Sequence, residues 1–120
     1  MTTSELQAAV RKRDGLAVID LTGDVNAAAE QALNQAYAEA TAGGATAVAL
    51  NFAHADYINS TGIALIVGLL ARARTSGLEM RAFGLSVHYR EIFEITRLSD
   101  FMTISDDEDR AVSGPGEETP

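Results

Sequence analysis

Two adjacent hydroxyls, Ser60 and Thr61, stand between an asparagine and a glycine at the head of an apolar run, Asp56-Tyr57-Ile58-Asn59-Ser60-Thr61-Gly62-Ile63-Ala64-Leu65-Ile66-Val67-Gly68-Leu69-Leu70. The preceding run, Ala45 to Phe52, reads as a strand, so Ser60 falls at a strand-loop-helix junction. Free backbone N–H groups and the helix dipole favour negative charge there. Ser60 is therefore a candidate phosphate site. A phosphoserine adds about −1.5 to −2 charges, part of which the helix terminus offsets. A partner covering that surface would meet a different energy, because burying an unpaired dianion costs several kcal/mol of desolvation. The plainer reading of the same residue is a helix N-cap, with the Ser60 hydroxyl oxygen accepting from the N–H of Gly62 or Ile63 and contributing ~1 kcal/mol.

The secondary structure around that junction follows from periodicity. Residues at about 5–13 and 16–22 read as two strands, and Asp14-Gly15 between them signals a hairpin with a type I′ turn. Leu21-Thr22-Gly23-Asp24-Val25 reads as a turn closing the second strand, and Asn26 as the N-cap of an Ala-rich helix over 27–42. Ala29, Leu33, Ala36, Tyr37 and Ala40 share one face of that helix, and Gly43-Gly44 ends it. A strand over 45–52 leads to the exposed polar entrance Asp56–Asn59 and then to the Ser60 helix, which ends at Ser76-Gly77.

Further on, Leu78 to Phe83 reads as a strand and Ser86 as the cap of a helix from Val87 to about Leu98, with Tyr89, Ile92, Phe93 and Thr96 inward. A short strand, Phe101 to Ile104, and a capping box, Ser105-Asp106-Asp107-Glu108, open a last short helix. The order β-β-α-β-α-β-α-β-α gives one mixed α/β sheet in which only the opening hairpin is antiparallel and helices pack on the sheet. The helix of Ser60 carries more apolar residues than one face needs, which leaves Leu65 and Leu69 for a partner surface.

Composition removes several function classes. The chain of 120 residues has a formal charge of −8, against nucleic-acid binding, which requires a basic face. There is no cysteine, and His54 and His88 are isolated, so no metal ligand set is assigned. Asp20, Asp24 and Asp56 read as strand-end turn formers, and no Gly-rich phosphate loop follows a strand. Catalytic residues and cofactors are accordingly expected to be absent. The start of the chain carries no signal segment and Ile63 to Leu70 is too short to span a bilayer, which points to a cytoplasmic protein without membrane insertion.

The Leu21–Val25 segment, the Ile58-Asn59-Ser60-Thr61-Gly62-Ile63 segment and the order of elements resemble the STAS-domain anti-sigma-factor antagonists of bacteria, over residues 5–112. The resemblance implies a single STAS domain at 5–112, followed by an acidic disordered tail at 113–120. It implies an anti-sigma factor, often itself a serine/threonine kinase, as the partner whose capture releases a sigma factor. It makes Ser60 the phosphoacceptor, with Thr61 second, and a PP2C-type phosphatase the enzyme that reverses the modification. Asp24, Asn26, Asp56, Asn59, Ser60, Thr61 and Gly62 then form the contact rim. Two positions depart from the family pattern: Asn59 stands where an Asp commonly precedes the serine, and Asn26 where an acid commonly follows two residues after the position of Asp24. Two other classes fit the same pattern, a permanent STAS scaffold or accessory subunit of a signalling or transport complex, and a small-molecule-binding domain using the helix terminus for an anion.

Overall fold

In a computed structural model, which describes residues 5–113, the Asp14-Gly15 hairpin joins β1 (Gln7–Arg13) to β2 (Leu16–Val25) in antiparallel register. Both turn residues have positive φ, 52° at Asp14 and 84° at Gly15, the conformation a type I′ turn requires. β2, β3 (Ala47–Ile58), β4 (Glu79–Phe83) and β5 (Thr103–Ser105) are parallel, and the strands lie in chain order, β1-β2-β3-β4-β5. The expected mixed sheet is thus the fold.

Strand lengths differ from the sequence reading at the places where β2 and β3 approach the Ser60 helix. β2 continues through Leu21–Val25, which is strand and not turn, and β3 runs to Ile58 and leaves no polar loop before Asn59. Each strand extends the other: Asp24 pairs with Tyr57 and Val25 with Ile58, after register shifts between Asp20 and Thr22 and between Gly23 and Asp24. A tail of polar residues keeps strand geometry when a neighbouring backbone satisfies its N–H and C=O groups.

The helices are α1 (Glu30–Ala42), entered by a 3-10 turn at Ala27–Ala29, α2 (Ser60–Thr75), α3 (Val87–Ile95) and α4 (Glu108–Ser113). Alternate residues of a strand face opposite sides. One side of the sheet supplies Ile19, Leu21, Val48, Leu50 and Phe52 to the main core, and Leu33, Ala36, Tyr37 and Ala40 of α1, Ile66, Leu70 and Ala73 of α2 and Phe93 of α3 close it. The α1 face therefore matches its periodicity. On α3 only Phe93 is fully buried; Tyr89 and Ile92 are half-buried, Thr96 is exposed, and the helix ends at Ile95, before Arg97 adopts a left-handed backbone with φ 68°. The other side of the sheet carries a small separate cluster of Val18, Ala49 and Phe83, covered by Ala111 of α4.

The capping box at Ser105–Glu108 does not form. Asp107 takes the cap, its Oδ1 accepting from the Arg110 N–H at 2.9 Å, because Glu108 is drawn to Arg11 and Arg13 of β1 instead. Ser105 is buried at the end of β5, the short strand expected at 101–104. Ser113 ends α4 rather than opening a tail, and the remainder of the expected disordered tail lies outside the described residues. Among the described residues no helix is long and apolar enough to cross a membrane.

Candidate functional site

The site is assembled by one residue, Asn59, between the end of β3 and the start of α2. Its backbone is extended, φ −97° and ψ −178°, and its side-chain oxygen accepts from the Gly62 N–H at 2.8 Å. Its backbone oxygen accepts from Ile63 N–H at 2.9 Å and its N–H donates to the Val25 carbonyl at 3.2 Å. Asn59 is therefore the N-cap, and the expectation that Ser60 fills this role is wrong. Asparagine serves as well as serine at a cap, and the extended strand that delivers Asn59 sets its geometry one residue earlier. Ser60 becomes the first residue of α2, exposed, and neither its hydroxyl nor that of Thr61 has a hydrogen-bond partner among the described residues.

Two contacts from distant segments hold this junction. Gly62 is buried against Val25, where a Cβ would overlap the Val25 carbonyl oxygen. On the opposite flank the Tyr89 hydroxyl of α3 accepts from the Ile58 N–H at 3.0 Å. β4 pairs with β3 only as far as Asn51, so Tyr89 supplies an acceptor where no strand does. Tyr89 was legible as an inward residue of its helix. Its part in the junction, 31 residues away in sequence, has no local signature.

The remaining rim residues divide around β3. Asp24 and Asn26 lie beside the junction through the pairing of Val25 with Ile58. Asn26 caps the 3-10 turn before α1, its Oδ1 accepting from Ala28 N–H at 3.1 Å. Asp24 is only 9% exposed, which makes it a shaping residue more than a contact surface. Asp56 is exposed and lines a cleft of about 180 Å³ on the α3 side, together with Gly84, Ser86 and Tyr89. Gly84 has φ +81°, and a Cβ there would come within 2.8 Å of the Ala53 nitrogen.

The electrostatics of the junction are set by neutral caps. Asn26 and Asn59 both satisfy helix N–H groups without adding charge, and the first turn of α2 contains no acid. No acid of the helix's own first turn therefore offsets the positive end of the α2 dipole beside the exposed Ser60. An anion attached to Ser60 would meet the positive end of that dipole without a carboxylate at position 59 to repel it. Of the two leucines expected on a partner surface, Leu69 is in the core at 2% exposure and Leu65 is half-buried against it. Leu69 lies three residues after Ile66 and four before Ala73, on the buried face. The free face of α2 carries Ala64, Val67 and Gly68, with Val67 44% exposed. Among the described residues no group of three or more His, Cys, Asp or Glu side chains is placed to hold a metal ion.

Comparison with known proteins adds a family and a fold. The family model of the STAS domain matches residues 7–111. BtrV of Bordetella bronchiseptica, which bears the name of an anti-sigma factor antagonist, is 28% identical over 102 residues, spanning 85% of this chain and 88% of BtrV. Among solved structures, an anti-sigma factor antagonist from Mycobacterium paratuberculosis superimposes with a TM-score of 0.73 at 19% identity, over 91% of this chain and 92% of its own. The Bacillus cell fate determinant SpoIIAA in its phosphorylated form gives a TM-score of 0.64 at 20% identity, over 85% of this chain and 94% of its own.

Proposed function

Since the chain belongs to the STAS domain family, we propose that it is an anti-sigma-factor antagonist, acting in the cytoplasm and controlled by reversible phosphorylation at Ser60. Unphosphorylated, it presents the start of α2 to an anti-sigma factor and so frees a sigma factor. A serine/threonine kinase activity of that partner transfers the γ-phosphoryl group of ATP to the Ser60 oxygen, the hydroxyl proton leaving and ADP departing. The charged ester then ends the contact, and a PP2C-type phosphatase hydrolyses it. Asn26, Asp56, Asn59 and Thr61 form the rim of the contact, while Asp24 and Gly62 shape it from below.

The observation that carries this reading is the division of labour between two neighbours. Asn59 caps α2 and leaves the Ser60 hydroxyl exposed and unbonded among the described residues, at the positive end of a 16-residue helix. The hydroxyl is thus open to a kinase without loss of a structural bond, and its ester would gain from the dipole. The likeness to BtrV supports the class of partner.

Incubation with ATP and the cognate kinase-type anti-sigma factor, followed by mass spectrometry, tests the proposal. Phosphate on Ser60, lost in Ser60→Ala, is expected, with Ser60→Asp weakening anti-sigma-factor binding at least about tenfold. Phosphate on neither Ser60 nor Thr61, combined with unchanged binding by Ser60→Asp, sinks it.

A further inference from the structure

On the side of the sheet away from α1, α2 and α3, α4 is attached in an unusual manner for so small an element. It has six residues, too few to be helical in isolation. Its one fully buried side chain among the described residues is Ala111, seated on Val18, Ala49 and Phe83. Its other attachments are charged. Glu108 receives Arg11 at 2.9 and 3.0 Å and Arg13 at 2.8 Å, while Asp109 receives Arg13 at 2.7 Å. Asp106, just ahead of the helix, pairs with Arg90 of α3. At the other end the Arg81 guanidinium donates to the carbonyl oxygens of Ala111 at 2.7 Å and Val112 at 3.1 Å, capping the helix from β4.

Most of these ion pairs are open to solvent, with 41% of the Arg11 side chain, 35% of Arg13 and 82% of Asp109 exposed, while Glu108 at their centre is 26% exposed. Exposed pairs are screened strongly as salt rises, since the Debye length falls from about 10 Å at 0.1 M to about 3 Å at 1 M. The main core is apolar and lies on the opposite side of the sheet, so screening does not weaken it in the same way.

From this contrast we propose that α4 is an ionic strap, opening separately from the rest of the fold when ionic strength rises and uncovering Val18, Ala49 and Phe83. The opening is local: it exchanges one buried methyl, the two part-buried Arg81 hydrogen bonds and a set of screened ion pairs for chain entropy, and leaves the five strands and three larger helices assembled. It concerns the face of the sheet turned away from Ser60, and it stands or falls independently of the phosphoswitch.

Arg110, exposed within α4, gives a direct probe, because trypsin cleaves only where a helix opens. Arg72 and Arg74 in α2 report opening of the main body. Rates are referred to a free peptide of residues 106–113, which corrects for the effect of salt on the protease. Between about 0.05 M and about 1 M NaCl, cleavage after Arg110 should accelerate by about tenfold while cleavage after Arg72 and Arg74 stays constant. Glu108→Gln should give the fast rate already at low salt, with the same circular dichroism as the unsubstituted protein. Salt-independent cleavage after Arg110, or cleavage there no faster than after Arg72 and Arg74, would overturn the strap.

Discussion

The α-carbon of Gly62 lies so close to Val25 that a Cβ at position 62 would overlap the Val25 carbonyl oxygen, the same oxygen that accepts the Asn59 N–H. The first turn of α2 is thus pressed onto the end of β2, and this contact sets the place of Ser60. Gly62→Ala should destabilise the protein by about 2 kcal/mol or more, because the obstacle is backbone and cannot rotate away. Gly68, six residues along the same helix, has nothing among the described residues within 4 Å of an added Cβ. There alanine should stabilise by about 1 kcal/mol through helix propensity. Urea unfolding of the two variants side by side checks the pair, and equal effects would refute the close approach.

Asn59 contributes a cap without charge. Asn59→Ala should cost about 1 kcal/mol by freeing the Gly62 N–H. Asn59→Asp should keep the cap and add about 0.5 kcal/mol from the helix dipole in the unmodified protein. Once Ser60 carries phosphate, the new carboxylate beside it should reverse that gain. Thermal unfolding of both variants, before and after phosphorylation, measures the change of sign.

Tyr89 secures β3 where β4 no longer accompanies it. Tyr89→Phe keeps the ring and removes the acceptor of the Ile58 N–H, so a loss of about 1 to 2 kcal/mol is expected. Exchange of the Ile58 amide should quicken more than that of amides in α1. Unchanged protection at Ile58 would show that the hydroxyl is dispensable there.

Acid should weaken the framework that links β1, β2 and α4. The Arg11 guanidinium, with Asn51 in support, holds the Asp20 carboxyl below its ordinary 3.8; Arg11 and then Arg13 hold Glu108 below its ordinary 4.5. Both groups are depressed in the folded state. Their contribution is therefore complete above those ordinary values and is lost as pH falls through the lower, folded ones. Urea midpoints should be level above pH 4.5 with respect to these two groups and fall below it, less steeply in high salt. Glu108→Gln should flatten part of that fall.

Much of this architecture could be read from residue order because it depends on local chemistry. The Asp14-Gly15 turn needs positive φ at two residues, the α1 face repeats every 3.6 residues, and Ser86 caps α3 through the Tyr89 N–H. Element order then allowed few sheets other than the observed one. The Asn-Ser-Thr-Gly segment marked the right junction for the same reason: a cap, two hydroxyls and a glycine are a local pattern.

What the sequence by itself determined is the kind and order of elements and the position of Ser60 at the head of a helix. Tertiary structure alone decided which residue caps that helix, because β3 continues in pairing with β2 as far as Ile58 and delivers Asn59, not Ser60, to the cap. It likewise placed Leu69 in the core, took Glu108 away from its capping box to meet Arg11 and Arg13, and brought Tyr89 to Ile58. Each of these outcomes is a competition between a local partner and one supplied by a distant strand or helix. Spacing along the chain names only the first of the two competitors.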